Sequence, residues 1–254
     1  MKILLPSYNY VYGVKKIIES IGNNFIISIS DNSDNDKIRD IVHKYKNIEY
    51  VKRKPQGPVK NWNYLLNDNN NNFNIIIHDD EYLLKKDIKK IKKIKLEKDT
   101  VYFFNYKVFE NKHMINFSHN NFLREFLIKN FPKLILFLNF TGPTAAYAFF
   151  NDGKNIYDKN MIWHVDLDFL YRIIQKKKIK FLDICAYTFL KNNSLTKKVI
   201  KNKLGMTIKE LVYIRNKYKI SLLVFNIYLI FSCILRLYFK FLLIGKKQIC
   251  QIKY

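Results

Sequence analysis

The chain has 254 residues, 48% hydrophobic and 16% aromatic, which is too apolar for a disordered segment and enough to build one large α/β domain with an appendage. Lys and Arg number 45 against 21 Asp and Glu, a formal charge of +24 that favours polyanionic neighbours such as anionic lipid, phosphorylated substrates or nucleic acid. Cys185, Cys233 and Cys250 are odd in number and lack C-x-x-C spacing, so neither a disulfide framework nor a zinc site is expected, and a reducing compartment is.

The opening apolar run, residues 2–5, is too short for a signal-peptide core and is stopped by Pro6, so it reads as a first strand of a cytoplasmic domain. Residues 25–30, 48–51 and 73–77 read as the next strands. Between them, 14–21, 36–45 and 59–66 carry apolar residues at helical spacing. This alternation predicts a parallel sheet flanked by helices, in which ligands bind beyond the carboxyl ends of the strands. The Asn-rich stretch 67–72 is a polar surface loop. Further on, 85–98 reads as a basic amphipathic helix, 101–109 and 144–150 as strands, and 122–138 as two short helices broken at Pro132.

From about residue 207 the character changes. A charged helix over 209–219 leads into 220–235, a run without charge that is shorter than the roughly 20 apolar residues of a bilayer span. As a helix it continues with Arg236, Lys240 and Lys247 on one stripe, the pattern of a helix lying in a membrane interface. The expected organisation is a catalytic domain over 1–205 and a helical, membrane-associating segment over 206–254.

Four clusters fall at the expected strand ends. Pro6-Ser7-Tyr8-Asn9 follows the first strand and Asp31-Asn32-Ser33-Asp34 the second; both are rich in turn formers, and an exposed carboxylate such as Asp31 can accept from the imide of a uracil-like base. Gly57-Pro58-Val59-Lys60-Asn61-Trp62-Asn63 opens a helix, with Lys60 as a cation placed to meet a diphosphate and Trp62 as core. His78-Asp79-Asp80-Glu81 gathers three carboxylates and an imidazole, a crowding of like charge relieved by a cation such as Mg²⁺ or Mn²⁺. Asp166 and Asp168 lie at the start of a helix over 169–174, where N-capping is the plain structural role.

Together with Thr141-Gly142-Pro143-Thr144 and the stretch from Asp166 to Arg172, these motifs in this order resemble an inverting glycosyltransferase of family 2, of the bacterial surface-polysaccharide type, over roughly residues 2–195. The resemblance implies the GT-A fold, a nucleotide-sugar donor, UDP-type favoured, and a divalent metal. It implies that Pro6, Tyr8, Asn9, Asp31, Lys60, Asn63 and Asp79 line the nucleotide-sugar site. Asp80 would then ligate the metal, Asp166 act as general base, and Gly142, Pro143 and Thr144 stand on the acceptor side. The family's aspartate-any-aspartate appears here as Asp79-Asp80-Glu81, and Val165 stands where an acid usually precedes the base. The Gln-x-x-Arg-Trp signature of processive synthases is missing after Asp166, which implies one sugar per binding event.

The basic surface and apolar tail point to a glycan or lipid-linked acceptor on an anionic membrane surface. A nucleic-acid-binding protein is the main rival that the charge suggests, but no helix-turn-helix signature, zinc spacing or RNA-recognition motif is present, and no nucleic-acid partner is expected. A membrane scaffold that had lost catalysis would keep the fold and tail without using the acids.

Overall fold

A computed structural model describes residues 1–111, 113–118, 120–190 and 203–247. The chain begins β1 (Lys2–Ser7), α1 (Val11–Ile21), β2 (Ile26–Asp31), α2 (Lys37–Val42), β3 (Ile48–Lys52), α3 (Pro58–Asp68) and β4 (Asn72–Ile76). β5 (Glu81–Leu83), α4 (Lys85–Lys92), β6 (Thr100–Glu110), β7 (His113–Phe117) and α5 (Asn121–Asn130) follow. Next come 3₁₀ turns at Pro132–Leu136 and Thr144–Ala146, then β8 (Tyr147–Asn151), α6 (Val165–Ile173), β9 (Lys178–Leu190), α7 (Lys203–Lys217) and α8 (Leu222–Lys247).

Among the described residues the strands form one sheet in the order β3-β2-β1-β4-β8-β6-β9-β5, with β7 alongside β6. The first four strands are parallel, as the alternation of strands and helices predicts. β8 joins β4 and β6 antiparallel, and β9 then runs parallel to β6. Because successive side chains on a strand point to opposite faces, β1 feeds two cores. Ile3 and Leu5 pack with Val14, Ile17, Ile18 and Ile21 of α1. Leu4, on the other face, packs with Trp62, Leu65 and Leu66 of α3 and with buried residues of α6, α7 and α8.

The sheet departs from expectation in its second half. The helix expected over 85–98 stops at Lys92, where lysines at i,i+3 and i,i+4 spacing repel one another along the helix. Residues 144–146 form a 3₁₀ turn before the expected strand continues as β8. β5, β7 and β9 were not foreseen. β5 has only three residues, and its pairing with β9, Glu81↔Thr188 to Leu83↔Ala186, joins segments a hundred residues apart.

β1 is the switch point. The chain leaves it toward β2 on one side and returns through α3 to β4 on the other, so the loops after β1 and β4 diverge and leave a crevice between them.

Candidate active site

The crevice is framed by residues 7–10 after β1 and 77–81 after β4. Asp79 ties the two together: its Oδ2 accepts from the Tyr8 backbone N–H at 3.2 Å and from Ser7 Oγ at 3.4 Å. α1 starts so close to this loop that a Cβ on Gly13 would lie 1.8 Å from the Asp79 carbonyl oxygen, so only glycine fits there. The β1 loop is also fastened to the β2 loop. Tyr8 Oη and Asn9 Nδ2 both donate to Asp34, at 3.0 and 2.9 Å, and the Asn9 N–H donates to Ser33 Oγ at 2.7 Å. These two side-chain donors, Asn9 first, hold the Asp34 carboxyl below the usual range.

Two cavities flank Asp80, which lines both. The first, about 260 Å³, lies between the start of α1 and the β5 edge and is walled by Tyr10, Tyr12, Gly13 and Lys16. Lys16 Nζ sits 4.3 Å from the centroid of the Tyr82 ring, a cation held over an aromatic face beside the acidic loop.

The second cavity, about 230 Å³, brings His78, Asp80 and Glu81 together with Gly142, Pro143, Thr144 and Asp166. Glu81 is engaged there: its Oε2 accepts from the His78 N–H and from Thr144 Oγ1, both at 2.9 Å, so it links the β4 loop to residues 141–144. Burial pushes its pKa up to about 7. Gly142 has φ of 101°, and a Cβ on it would strike the Tyr106 ring at 2.4 Å. The fully buried Arg124 supports the same turn, donating to the Thr141 carbonyl at 2.9 Å and the Phe104 carbonyl at 3.1 Å.

Four polar atoms of residues lining this cavity have no hydrogen-bond partner among the described residues: His78 Nε2, Tyr147 Oη, Asp166 Oδ1 and Thr188 Oγ1. Orphaned buried polar atoms are uncommon and cost free energy unless a ligand or water satisfies them. Burial raises the pKa of Asp166, with the nearby His78 opposing it. For His78, burial alone would lower the pKa, but the carboxylates of Glu81, Asp166, Asp80 and Asp79 outweigh it and the pKa is raised.

Asp166 and Asp168 separate cleanly. Both lie in the first turn of α6, which starts four residues earlier than its sequence pattern indicated, and neither caps it. Glu210 of α7 caps it instead, accepting from the N–H groups of Ile162 (2.7 Å), Trp163 (3.0 Å) and His164 (2.7 Å) and facing His164 Nδ1 at 3.2 Å. The pKa of Glu210 falls to about 2 because these hydrogen bonds, His164 foremost, outweigh its burial. Asp168 is fully buried, paired with Arg172 at 2.9 Å and Lys217 at 2.7 Å, and accepts from Tyr218 Oη at 2.6 Å. Its oxygens are spent on holding α7 to α6.

Residues 2–156 match the family model described as Glycosyl transferase family 2. The chain belongs to this family. The match ends before α6. No curated protein matches the chain. Among solved structures it is similar to S. aureus TarS 1-349 in complex with UDP-GlcNAc, with a TM-score of 0.58 at 16% identity over 76% of this chain and 59% of that one. It is also similar to the mannosyltransferase PcManGT from Pyrobaculum calidifontis in complex with GDP-Man and Mn²⁺, with a TM-score of 0.56 at 9% identity over 84% of this chain and 64% of that one. The chain thus spans less than two thirds of either. These likenesses establish the GT-A fold expected from the sequence.

Within this family 2 frame the exposure expected of Asp31 needs correcting. Asp31 is not an exposed acceptor. It is fully buried, with Oδ2 accepting from Tyr50 Oη at 2.8 Å and Oδ1 from the Ser33 N–H at 2.8 Å, because β3 covers it from the side. Pro6 is buried within β1 and paired with Ser30. It lies beyond the last β1–β4 pair, Leu4↔Ile76, where no ladder N–H is required of it. The Asn63 amide is occupied by the Tyr157 backbone, donating to its carbonyl at 2.9 Å and accepting from its N–H at 2.6 Å. Lys60 is exposed and lines neither cavity. Trp62 is core as expected, stacked on His78 at 5.1 Å. Tyr10, Tyr12 and Lys16 were missed. The available signal was their place just after the first strand's loop, with Tyr12 and Lys16 four apart on one helix face.

Proposed function

We propose that the chain catalyses inverting transfer of one sugar per binding event from a nucleotide-sugar, UDP-type favoured, to an acceptor hydroxyl. The observation that carries this reading is the meeting of Asp80 and Asp166 in one cavity, where Asp166 keeps a buried oxygen without a partner among the described residues. A hydroxyl in that cavity satisfies the orphan atom by donating to it. As the acceptor oxygen attacks the anomeric carbon, Asp166 takes its proton, and the bond to the nucleoside diphosphate breaks with its electron pair leaving on the phosphate. A raised pKa makes Asp166 a stronger base, with the charge of His78 opposing the shift.

Asp80 is the best placed of the three acidic residues to hold Mg²⁺ or Mn²⁺. Asp80 lines both cavities, between the β1 loop held by Asp79 and the 141–144 turn held by Glu81. Among the described residues no group of three ligands is assembled, which suits a metal held by one or two carboxylates and completed by substrate phosphates. When bound, the ion would neutralise charge on the departing diphosphate. The Mn²⁺ reported with GDP-Man in the mannosyltransferase structure supports this use.

Asp79 and the β1 loop, Tyr8 and Asn9 included, shape the donor side, with Asp31 and Pro6 acting beneath the surface as its support. Gly142, Pro143 and Thr144 form the acceptor side. The acceptor is a glycan or lipid-linked glycan, and the protein works as a peripheral protein on the cytoplasmic face of a membrane, with α8 as its attachment. Incubation with UDP- and GDP-sugars, with and without EDTA, tests the reading. Metal-dependent sugar transfer or slow donor hydrolysis is expected, and inertness toward the whole panel with metal present refutes it.

A further inference from the structure

α8 uses only one side to pack on the rest of the molecule. Phe225 and Tyr228 lie against Phe137, with ring centroids 5.6 and 5.4 Å away, and Arg236 donates to the Phe137 carbonyl at 2.9 Å. Arg236 thus reaches back to the protein while staying exposed, and Lys240, one turn further along the same stripe, is exposed too; the Lys247 side chain lies outside the described residues. The opposite side carries Leu223, Ile227, Ile230, Ile234, Leu237 and Phe241, at alternating spacings of four and three that make one stripe. Each is 54% to 72% exposed.

This apolar surface continues beyond α8. Phe231, at its edge, meets Phe131 at 5.9 Å, and Phe131 meets Phe126 at 6.1 Å. Phe131 and Phe126 are 37% and 47% exposed, and Phe122, one turn back along α5, is 78% exposed. Two helices distant in sequence thus share one apolar face, of a kind that marks an interaction site on a folded protein.

We propose that this α5–α8 face docks on the surface of an anionic bilayer, with α8 lying in the plane of the interface. Charge selects the occupant. The only charged residues between Leu222 and Leu242 are basic, and the chain carries +24, which attracts an anionic leaflet and repels a second copy of itself. Leu222–Leu242 is by length and composition apolar enough to cross a membrane. Crossing would require it to abandon Phe137, Phe131 and the buried Ser232 and Leu235 contacts, whereas in-plane docking keeps them. The face also reaches the acceptor side. α5 carries Arg124, which holds the Thr141 carbonyl, and α8 runs beside β7, whose Asn116 lines the cavity of Asp166. Resting on the proposed transfer reaction, this makes the bilayer the surface from which the acceptor is presented.

The test is flotation of the full-length protein with vesicles of phosphatidylcholine alone or mixed with phosphatidylglycerol. Parent, Phe122→Ser/Phe126→Ser and Ile230→Ser/Ile234→Ser are compared, with thermal melting and donor hydrolysis in vesicle-free buffer as controls. Binding to the anionic vesicles is expected to fall about tenfold or more in both double variants. Melting and hydrolysis are expected to stay at the parent level, because all four side chains are exposed. Binding unchanged by the α5 pair overturns the two-helix face. Carbonate-resistant insertion overturns in-plane docking. A parent dimer by light scattering that Ile230→Ser/Ile234→Ser makes monomeric, without vesicle binding, assigns the face to a second copy. A parent that floats but hydrolyses no donor counts against the transfer reading and leaves the docking face intact.

Discussion

The loops at residues 7–9 and 31–35 and the cavity around Asp166 lie on two sides of the same acidic motif, and they treat polar groups in opposite ways. In the loops most polar side chains are engaged, Asn32 Oδ1 excepted: Tyr8 and Asn9 donate to Asp34, Ser33 Oγ accepts from the Asn9 N–H, and Asp31 accepts from Tyr50. In the cavity, His78 Nε2, Asp166 Oδ1 and Thr188 Oγ1 have no partner among the described residues. A paired loop is a finished cradle that presents backbone and shape. An unpaired cavity waits for hydrogen bonds that a substrate brings. Polar residues of the same type therefore serve support in one region and chemistry in the other.

The contrast is sharpest between Asp166 and Asp168. Asp166→Asn is expected to lower the transfer rate by about 10² to 10⁴ while donor affinity stays near that of the parent, as for loss of a general base. Asp168→Asn is expected to act through stability instead, lowering it by about 2 kcal/mol or more as charged hydrogen bonds to Lys217, Arg172 and Tyr218 weaken. Kinetics and thermal melts on the two variants decide it, and a reversal of the two phenotypes moves the base to Asp168. The parent's pH profile adds a second view. With its pKa raised by burial, Asp166 takes up its proton on acidification earlier than an ordinary aspartate. Transfer should therefore fall with decreasing pH along a limb lying above the ordinary aspartate value of about 3.9.

Asp80→Ala is the next largest. It should weaken metal-dependent donor binding by about tenfold or more, at least as much as loss of an outer-shell partner does. Titration calorimetry with and without metal reads this, and an undiminished, metal-dependent affinity transfers the ligand role to Asp79. The smallest effect tests the paired side. Asn63→Ala removes two hydrogen bonds to the Tyr157 backbone and should cost about 1–3 kcal/mol of stability with donor affinity little changed. A large loss of donor affinity in a fully folded Asn63→Ala protein would restore Asn63 to the binding site.

The parallel half of the fold was readable because each of its strands is a short, mainly apolar run separated from the next by a helical pattern. Ile3, Leu5, Val14, Ile17 and Ile18 carry that signal without help from distant residues. β5 and β9 were not readable because each exists through its partner, as in the pairing of Tyr82 with Tyr187. The same limit applies to the site. Sequence order placed Asp79 and Asp80 at a strand end and Asp166 at a helix start, but it could not show that Asp31 and Asn63 would be consumed by Tyr50 and Tyr157. Composition suggested a division after residue 205, whereas the groups that hold α6, Glu210, Lys217 and Tyr218, come after it.

That late arrival orders events as the chain is made. α6 leaves the ribosome 46 residues ahead of the carboxylate that caps it and 49 ahead of the lysine that pairs with Asp168. The parallel half, whose contacts are mostly between neighbours, can settle first, and the helix bearing Asp166 is secured only once α7 has emerged. A nascent chain therefore has the β1–β4 crevice before the helix bearing Asp166 is held, and the step that completes the proposed pair of Asp80 and Asp166 is the docking of α7.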